Sequence, residues 1–318
     1  MSAAPPASTS PGGTGTSAQT APYAVRVLIF TFQFGSGSYG SQKGSTLTVG
    51  GPNANLRAVA HVEYANLPST GMAQFRIYGL TLDQMNQISV AGQVFDGRQN
   101  NSIACQAGDA ISGFTTVFNG NIVEAWPDIN QPDAPLYVLA SPVAQSPIQL
   151  KPVPPTTFAG QTSVATALGQ MTQAAGVTLE NNGVNVMLQS PYFHGTIWKQ
   201  LYDCVRAADC FAFHDSINNK FAVWPKNGNR SGGPLLISPA TGMIDYPKFQ
   251  KRQIRLRVLF NPNLSAAKAA PGNQVQVQSQ LTAACGTFVM TAINHELSSE
   301  LPKGPWETTI LASPVAGT

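Results

Sequence analysis

Four cysteines and four histidines are the residues of this 318-residue chain best suited to chemistry: Cys105, Cys204, Cys210 and Cys285, with His61, His194, His214 and His295. A zinc site gathers such residues at short spacing, C-x-x-C above all, because neighbouring ligands must reach one ion. No C-x-x-C occurs, and Cys204 and Cys210 have five residues between them. That spacing suits neither a zinc knuckle nor a small disulfide scaffold, so the cysteines read as small buried apolar residues of a reducing compartment. His214 precedes Asp215 and His295 precedes Glu296. On a strand, adjacent side chains point to opposite faces, so neither pair makes a simple dyad. H-E-x-x-H, G-x-S-x-G and clustered carboxylates are all absent. The expectation is structural histidines, with no catalytic residue, no cofactor and no metal.

Two further patterns carry possible chemistry. Gly35, Gly37 and Gly40 in "FGSGSYG" form a G-x-G-x-x-G after a strand. A dinucleotide site needs a helix at once, so that its N-terminus meets the pyrophosphate. "SQKGSTLTVG" follows instead, which predicts a flexible hairpin loop. Lys248, Lys251, Arg252, Arg255 and Arg257 place five of the 18 basic residues in one short stretch. Contact with DNA phosphates is one reading. The favoured one is a solvated or interface-facing strand whose arginines pair with carboxylates or carbonyls. No aromatic residues interleave there as in a stacking platform.

Charged residues make up only 10% of the chain, against about 25% in ordinary soluble domains. A chain so poor in charge is expected to hide surface against neighbours. The net charge of +3 is too small to imply nucleic-acid binding. No run reaches the roughly eighteen apolar residues a membrane span requires. With no basic residue before Arg26 and no apolar core, the N-terminus does not read as a secretory signal.

Residues 1–22 are low-complexity and read as an arm ordered only by a partner. From there the chain alternates as β structure. In 24–34, Leu28, Phe30, Phe32 and Phe34 share one face, and Val25, Val27 and Ile29 the other, so both faces should be covered. In "MAQFRIYGLTLDQMNQIS" (72–89) a strand ends at Gly79, Thr81 and Gln84 make a capping box, and Leu82, Met85 and Ile88 form one helical stripe. Residues 114–126 read as a strand or hairpin with Asn119-Gly120 as turn or bulge, and 135–142 as a strand. A proline-rich connection (146–160) precedes two helices, one capped by Thr162 or Ser163 and stopped by Gly176, the other starting at Thr196. A hairpin around Asp215–Asn219 follows. Residues 252–260, 273–281, 286–297 and 306–314 complete a second sheet of about four strands.

The order of these stretches resembles the baseplate hub proteins of contractile-tailed phages, which are similar to the hub part of type VI secretion spike proteins. "GMAQFRIYGLTLDQMNQI" resembles the family's strand–glycine–helix step, and "TTVFNGNIVEA" its V-F-x-G-x-I strand. "TSVATALGQMTQAAGVTLE" and "FHGTIWKQLYDCVRAADCFAFHDSINNKFAVWPKNG" resemble its paired helix units. "ISPATGMIDYPKFQKRQIRLRVLFNP" and "GTFVMTAINHELSSELPKGPWETTI" resemble its second barrel. The likeness covers most of residues 23–314. It implies a mainly β protein: a first tail-tube-like β-barrel (23–145), an α/β domain (146–235) and a second β-barrel (236–318), with no catalytic residues to carry over. It also implies a structural virion protein of the tail baseplate, assembled in the host cytoplasm. Three copies would form a hollow ring, a homotrimer adapting the tail tube or tube-initiator protein to a central spike. Baseplate wedge and tape-measure proteins are further partners, and DNA would pass the lumen without specific binding. No fused spike is expected. The alternative is a β-rich glycan-binding or adhesin module using Trp126, Trp198, Trp224 and Trp306 as stacking surfaces.

Overall fold

The computed structural model describes residues 24–34, 46–91, 101–143, 152–262, 264 and 268–315. The arm 1–22, the glycine motif from Gly35 to Gly40 and part of the proline-rich connection lie outside them. Among the described residues the chain is mainly β with a small α/β part.

Alternation decides the first strands. β1 (Val27–Gln33) fully buries Leu28, Phe30 and Phe32. On its second face Val27 is buried, Ile29 half-buried and Val25 exposed, so that face is covered only in part. β2 (Thr46–Gly50) pairs antiparallel with β1, from Ile29 opposite Gly50 to Gln33 opposite Thr46. β3 (Ala58–Ala65) pairs with β4 (Met72–Ile77), which buries Ala73, Phe75 and Ile77 and exposes Met72, Gln74 and Arg76.

Gly79, at φ 73°, then turns the chain. The Gln84 amide donates to Thr81 Oγ1 (3.2 Å) and the Thr81 amide to Gln84 Oε1 (2.9 Å), a reciprocal cap. α1 (Leu82–Ala91) follows and buries Met85 and Ile88. Leu82, expected on the same stripe, is 66% exposed, because the first helical position precedes the turn that reaches the core.

β5 (Ser102–Asp109) and β6 (Gly113–Pro127) come next. The turn considered at Asn119-Gly120 does not form, because β6 is one strand of 15 residues. Most of its first part pairs with β5 and its last part with β7 (Leu136–Ser141), with an irregularity in each register. Gly120 sits where β6 changes partners. A Cβ there would come within 2.6 Å of the Ser141 carbonyl oxygen and 2.8 Å of the Phe118 ring. The glycine serves close backbone approach, not chain reversal.

The α/β part comprises β8 (Thr156–Thr157), β9 (Gln161–Ser163), α2 (Val164–Ala175), β10 (Thr178–Asn181), β11 (Met187–Gln189), β12 (Tyr192–Phe193), α3 (Ile197–Ala207), β13 (Cys210–Asp215) and β14 (Lys220–Pro225). Ser163 caps α2 by accepting from the Thr166 amide (3.1 Å), and Thr196 caps α3 by accepting from the Lys199 amide (3.3 Å). Gly176, at φ 72°, ends α2 in the left-handed region that glycine enters freely. β13 and β14 form the expected hairpin, and β10 joins β14 in parallel. Val164, Leu168, Met171, Leu201 and Cys204 lie in one apolar cluster between helices and sheet.

The last strands are β15 (Leu235–Ile237), β16 (Lys248–Gln250), β17 (Gln253–Leu259), β18 (Gln274–Val277), β19 (Gly286–Ser299) and β20 (Trp306–Pro314). β18 is shorter than the expected 273–281. A separate second sheet does not form. β19 is 14 residues long, enough to pair with β18 through its first part and with β3 from Ala292 to Ser299. One 13-stranded sheet results, in the order β16-β17-β20-β19-β3-β4-β7-β6-β5-β1-β2, with β18 and β15 branching from β19. Among the described strands this path is open, ending at β2 and β16, and closes no barrel. The first β region, the α/β part and the last β region each contribute an apolar cluster.

Candidate assembly surface

The structure scatters the histidines. His295, on β19, is buried, with Nδ1 2.8 Å from Thr308 Oγ1 and its ring edge-on to Phe260. His214, on β13, is buried edge-on to Trp198. Burial pushes both imidazoles down to about 4, so they are neutral at physiological pH. His194 stacks on Tyr192, and His61 lies half-buried on β3. Among the described residues no three His, Cys, Asp or Glu side chains are grouped to hold a metal. Cys105 and Cys204 are buried, Cys210 half-buried and Cys285 exposed, and all are free thiols.

Asp215 leads to a cluster that sequence reading missed. Arg230 donates from Nε and Nη2 to the Glu180 carboxylate (2.8 and 3.0 Å), and its Nη2 lies 3.5 Å from Asp215 Oδ2. These hydrogen bonds hold the Glu180 carboxyl down at about 2, despite the opposing cost of desolvation. The Arg230 amide also donates to the Gly272 carbonyl, so the cluster ties the α/β part to the last β region. In the sequence Arg230 lies in "KNGNRSGGP", a stretch without a carboxylate, with nothing local to name its partners.

The surface with most to offer a partner is the outer face of the large sheet. Across β6, β7, β4, β3, β19, β20 and β17, the residues opposite the core face outward in register. One row runs Glu124, Leu139, Gln74, His61, Glu296, Glu307 and Leu259. A neighbouring row holds Trp126, 42% exposed, stacked on Tyr137 with centroids 5.5 Å apart, and Arg76 sits 5.0 Å over Tyr137. Of the other tryptophans considered for sugar stacking, Trp224 and Trp306 are buried, and Trp198 packs on His214 and Phe221.

The basic cluster divides. Arg257 grips Glu307 through two contacts (2.9 and 2.7 Å) and reaches Asp245 at 3.2 Å. Lys248 lies 3.4 Å from Asp245. Lys251, Arg252 and Arg255 make no ion pair among the described residues.

Residues 45–302 match the family Baseplate hub gp41. The fold is similar to that of the tail protein from Neisseria meningitidis MC58, with a TM-score of 0.57 at 9% identity, covering 90% of this chain and 96% of that one. It is also similar to the 43 kDa tail protein of prophage MuSo2 from Shewanella oneidensis, with a TM-score of 0.51 at 10% identity, covering 91% and 96%. No curated protein matches the sequence. With the match spanning most of the chain, the chain belongs to the Baseplate hub gp41 family and is a structural protein of the phage tail baseplate.

Proposed function

We propose that three copies close into a hollow ring that joins the tail tube, or a tube-initiator protein, to a central spike in a contractile tail. The observation carrying this reading is the open sheet, with its broad polar outer face and its end strand β2, which pairs with β1 on one edge and with no other described strand on the second. A free sheet edge invites uncontrolled pairing, and cyclic closure removes that hazard where a head-to-tail contact without closure would build filaments. The division into an arm (1–22), a first β region (23–145), an α/β domain (146–235) and a second β region (236–318) belongs to this proposal. Two β regions in each of three copies would place six around the axis, letting a threefold spike meet a sixfold tube. The polar face suits a wet lumen through which DNA passes without specific contact. Wedge and tape-measure proteins are further neighbours in this reading.

Native mass spectrometry and electron microscopy of the full chain, alone and with its spike, test the proposal. A closed trimer is the expected result. A monodisperse monomer that never closes, even with the spike present, would sink it.

A further inference from the structure

The other end of the sheet differs from β2. β16 is a three-residue edge strand, Lys248–Gln250, with every residue exposed. Its hairpin partner β17 sets Lys248 directly opposite Arg255, two like charges on one face. The connecting turn is Lys251-Arg252, and Lys251 stands at φ 56°, where glycine is the easier residue. The chain thus holds a cation at the tip of a turn that disfavours it. On the opposite face Phe249, 60% exposed, walls a groove of about 480 Å³ that also involves Ile254, Phe288 and Pro314, with Lys251 and Arg252 at its rim. Lysines alone could be explained as blunting an edge against aggregation. An exposed phenylalanine beside an apolar groove on that edge defeats such a purpose.

We propose that β16 receives an extended, acidic segment of a different tail protein. Its backbone pairs with the free edge of β16, an apolar side chain enters the groove beside Phe249, and its carboxylates meet Arg255, Lys251 and Arg252. A second copy of this chain is the poorer occupant. The far end of the same sheet, β2, reads Thr-Leu-Thr-Val-Gly and carries no carboxylate, and the carboxylates of the edge strands β10 and β13, Glu180 and Asp215, are held by Arg230. DNA offers phosphates, but it uses neither an open strand edge nor an apolar groove.

The test uses the full chain and short capped peptides alternating Glu with Val and Leu, alongside analogues with Gln in place of Glu, and a short DNA duplex. Binding is read by fluorescence anisotropy and by protection of the β16 amides from hydrogen exchange. The acidic peptide is expected to bind with β16 protection, and the Gln analogue about tenfold more weakly. K251E with R252E should abolish the difference, and F249S should weaken both peptides, each at unchanged thermal midpoint. Equal binding of the two peptides, no binding of either, or tighter binding of the duplex would overturn the proposal. Oligomeric state is measured in the same samples, so failure of ring closure remains distinct from failure here.

Discussion

At the scale of single residues, burial governs chemistry. Desolvation raises the Cys105 thiol far above its ordinary range, the Cys204 thiol to about 12 and the Cys210 thiol to about 11. They therefore stay protonated, and a thiol is a poor nucleophile. Labelling of the native chain with a disulfide reagent at mildly alkaline pH should modify the exposed Cys285 first, with the other three reacting only on unfolding. Fast labelling of Cys105 would contradict its burial. Acid sensitivity follows from the same physics. His214 and His295 sit near 4 in the fold against 6.5 unfolded, so the unfolded chain takes up protons first. Stability present above pH 6.5 should drain as pH falls towards 4. Glu180, near 2 in the fold against 4.5 unfolded, adds a second loss below pH 4.5. Urea midpoints measured across this range should fall in both windows, and His295→Gln should shrink the upper fall, leaving the part due to His214. A flat profile between pH 6.5 and 4 would refute the assignment. The segments around these histidines share no motif, which led to the expectation of a structural role, but their neutrality follows from burial that only the fold reveals. The Arg230 cluster was not, since its partners Glu180 and Asp215 are distant in sequence.

At the scale of elements, what was legible is what local chemistry decides. The caps at Thr81 and Thr196 and the stop at Gly176 each involve bonds spanning a few residues, so the sequence alone placed them; for the first helix of the α/β part it offered Thr162 or Ser163, and the structure selects Ser163. Asn119-Gly120 has the composition of a turn, yet it lies inside β6, because tertiary pairing with β5 and β7 overrides the local preference. Gly120→Ala should therefore destabilise the fold by about 3 kcal/mol, read from chemical unfolding, as the new methyl meets the Ser141 backbone and the Phe118 ring. A change below about 0.5 kcal/mol would restore the turn reading.

For the whole molecule, the mainly β class and the α/β insertion were legible because alternation and helix caps repeat along the chain. The merging of two expected sheets into one was not, since alternation tells which face of β19 is buried but not which strand lies beside it. The charge content of 10% and the uncharged side chains of residues 1–22 point the same way, toward surfaces shared with neighbours. Deleting residues 1–22 should leave the thermal midpoint of the isolated chain unchanged and lower its incorporation into particles. Equal incorporation would remove the arm from the assembly.

The pairing of β3 with β19 also bears on how the chain is made. Ser299 Oγ donates to the Leu56 carbonyl across 243 residues of sequence. During synthesis the β3 edge leaves the ribosome long before its partner exists. Until the chain's last strands arrive, that edge is open to any strand nearby, and crowded polysomes bring identical ones close. Early folding intermediates are thus the aggregation-prone species, and slow translation of the middle region would lengthen their exposure.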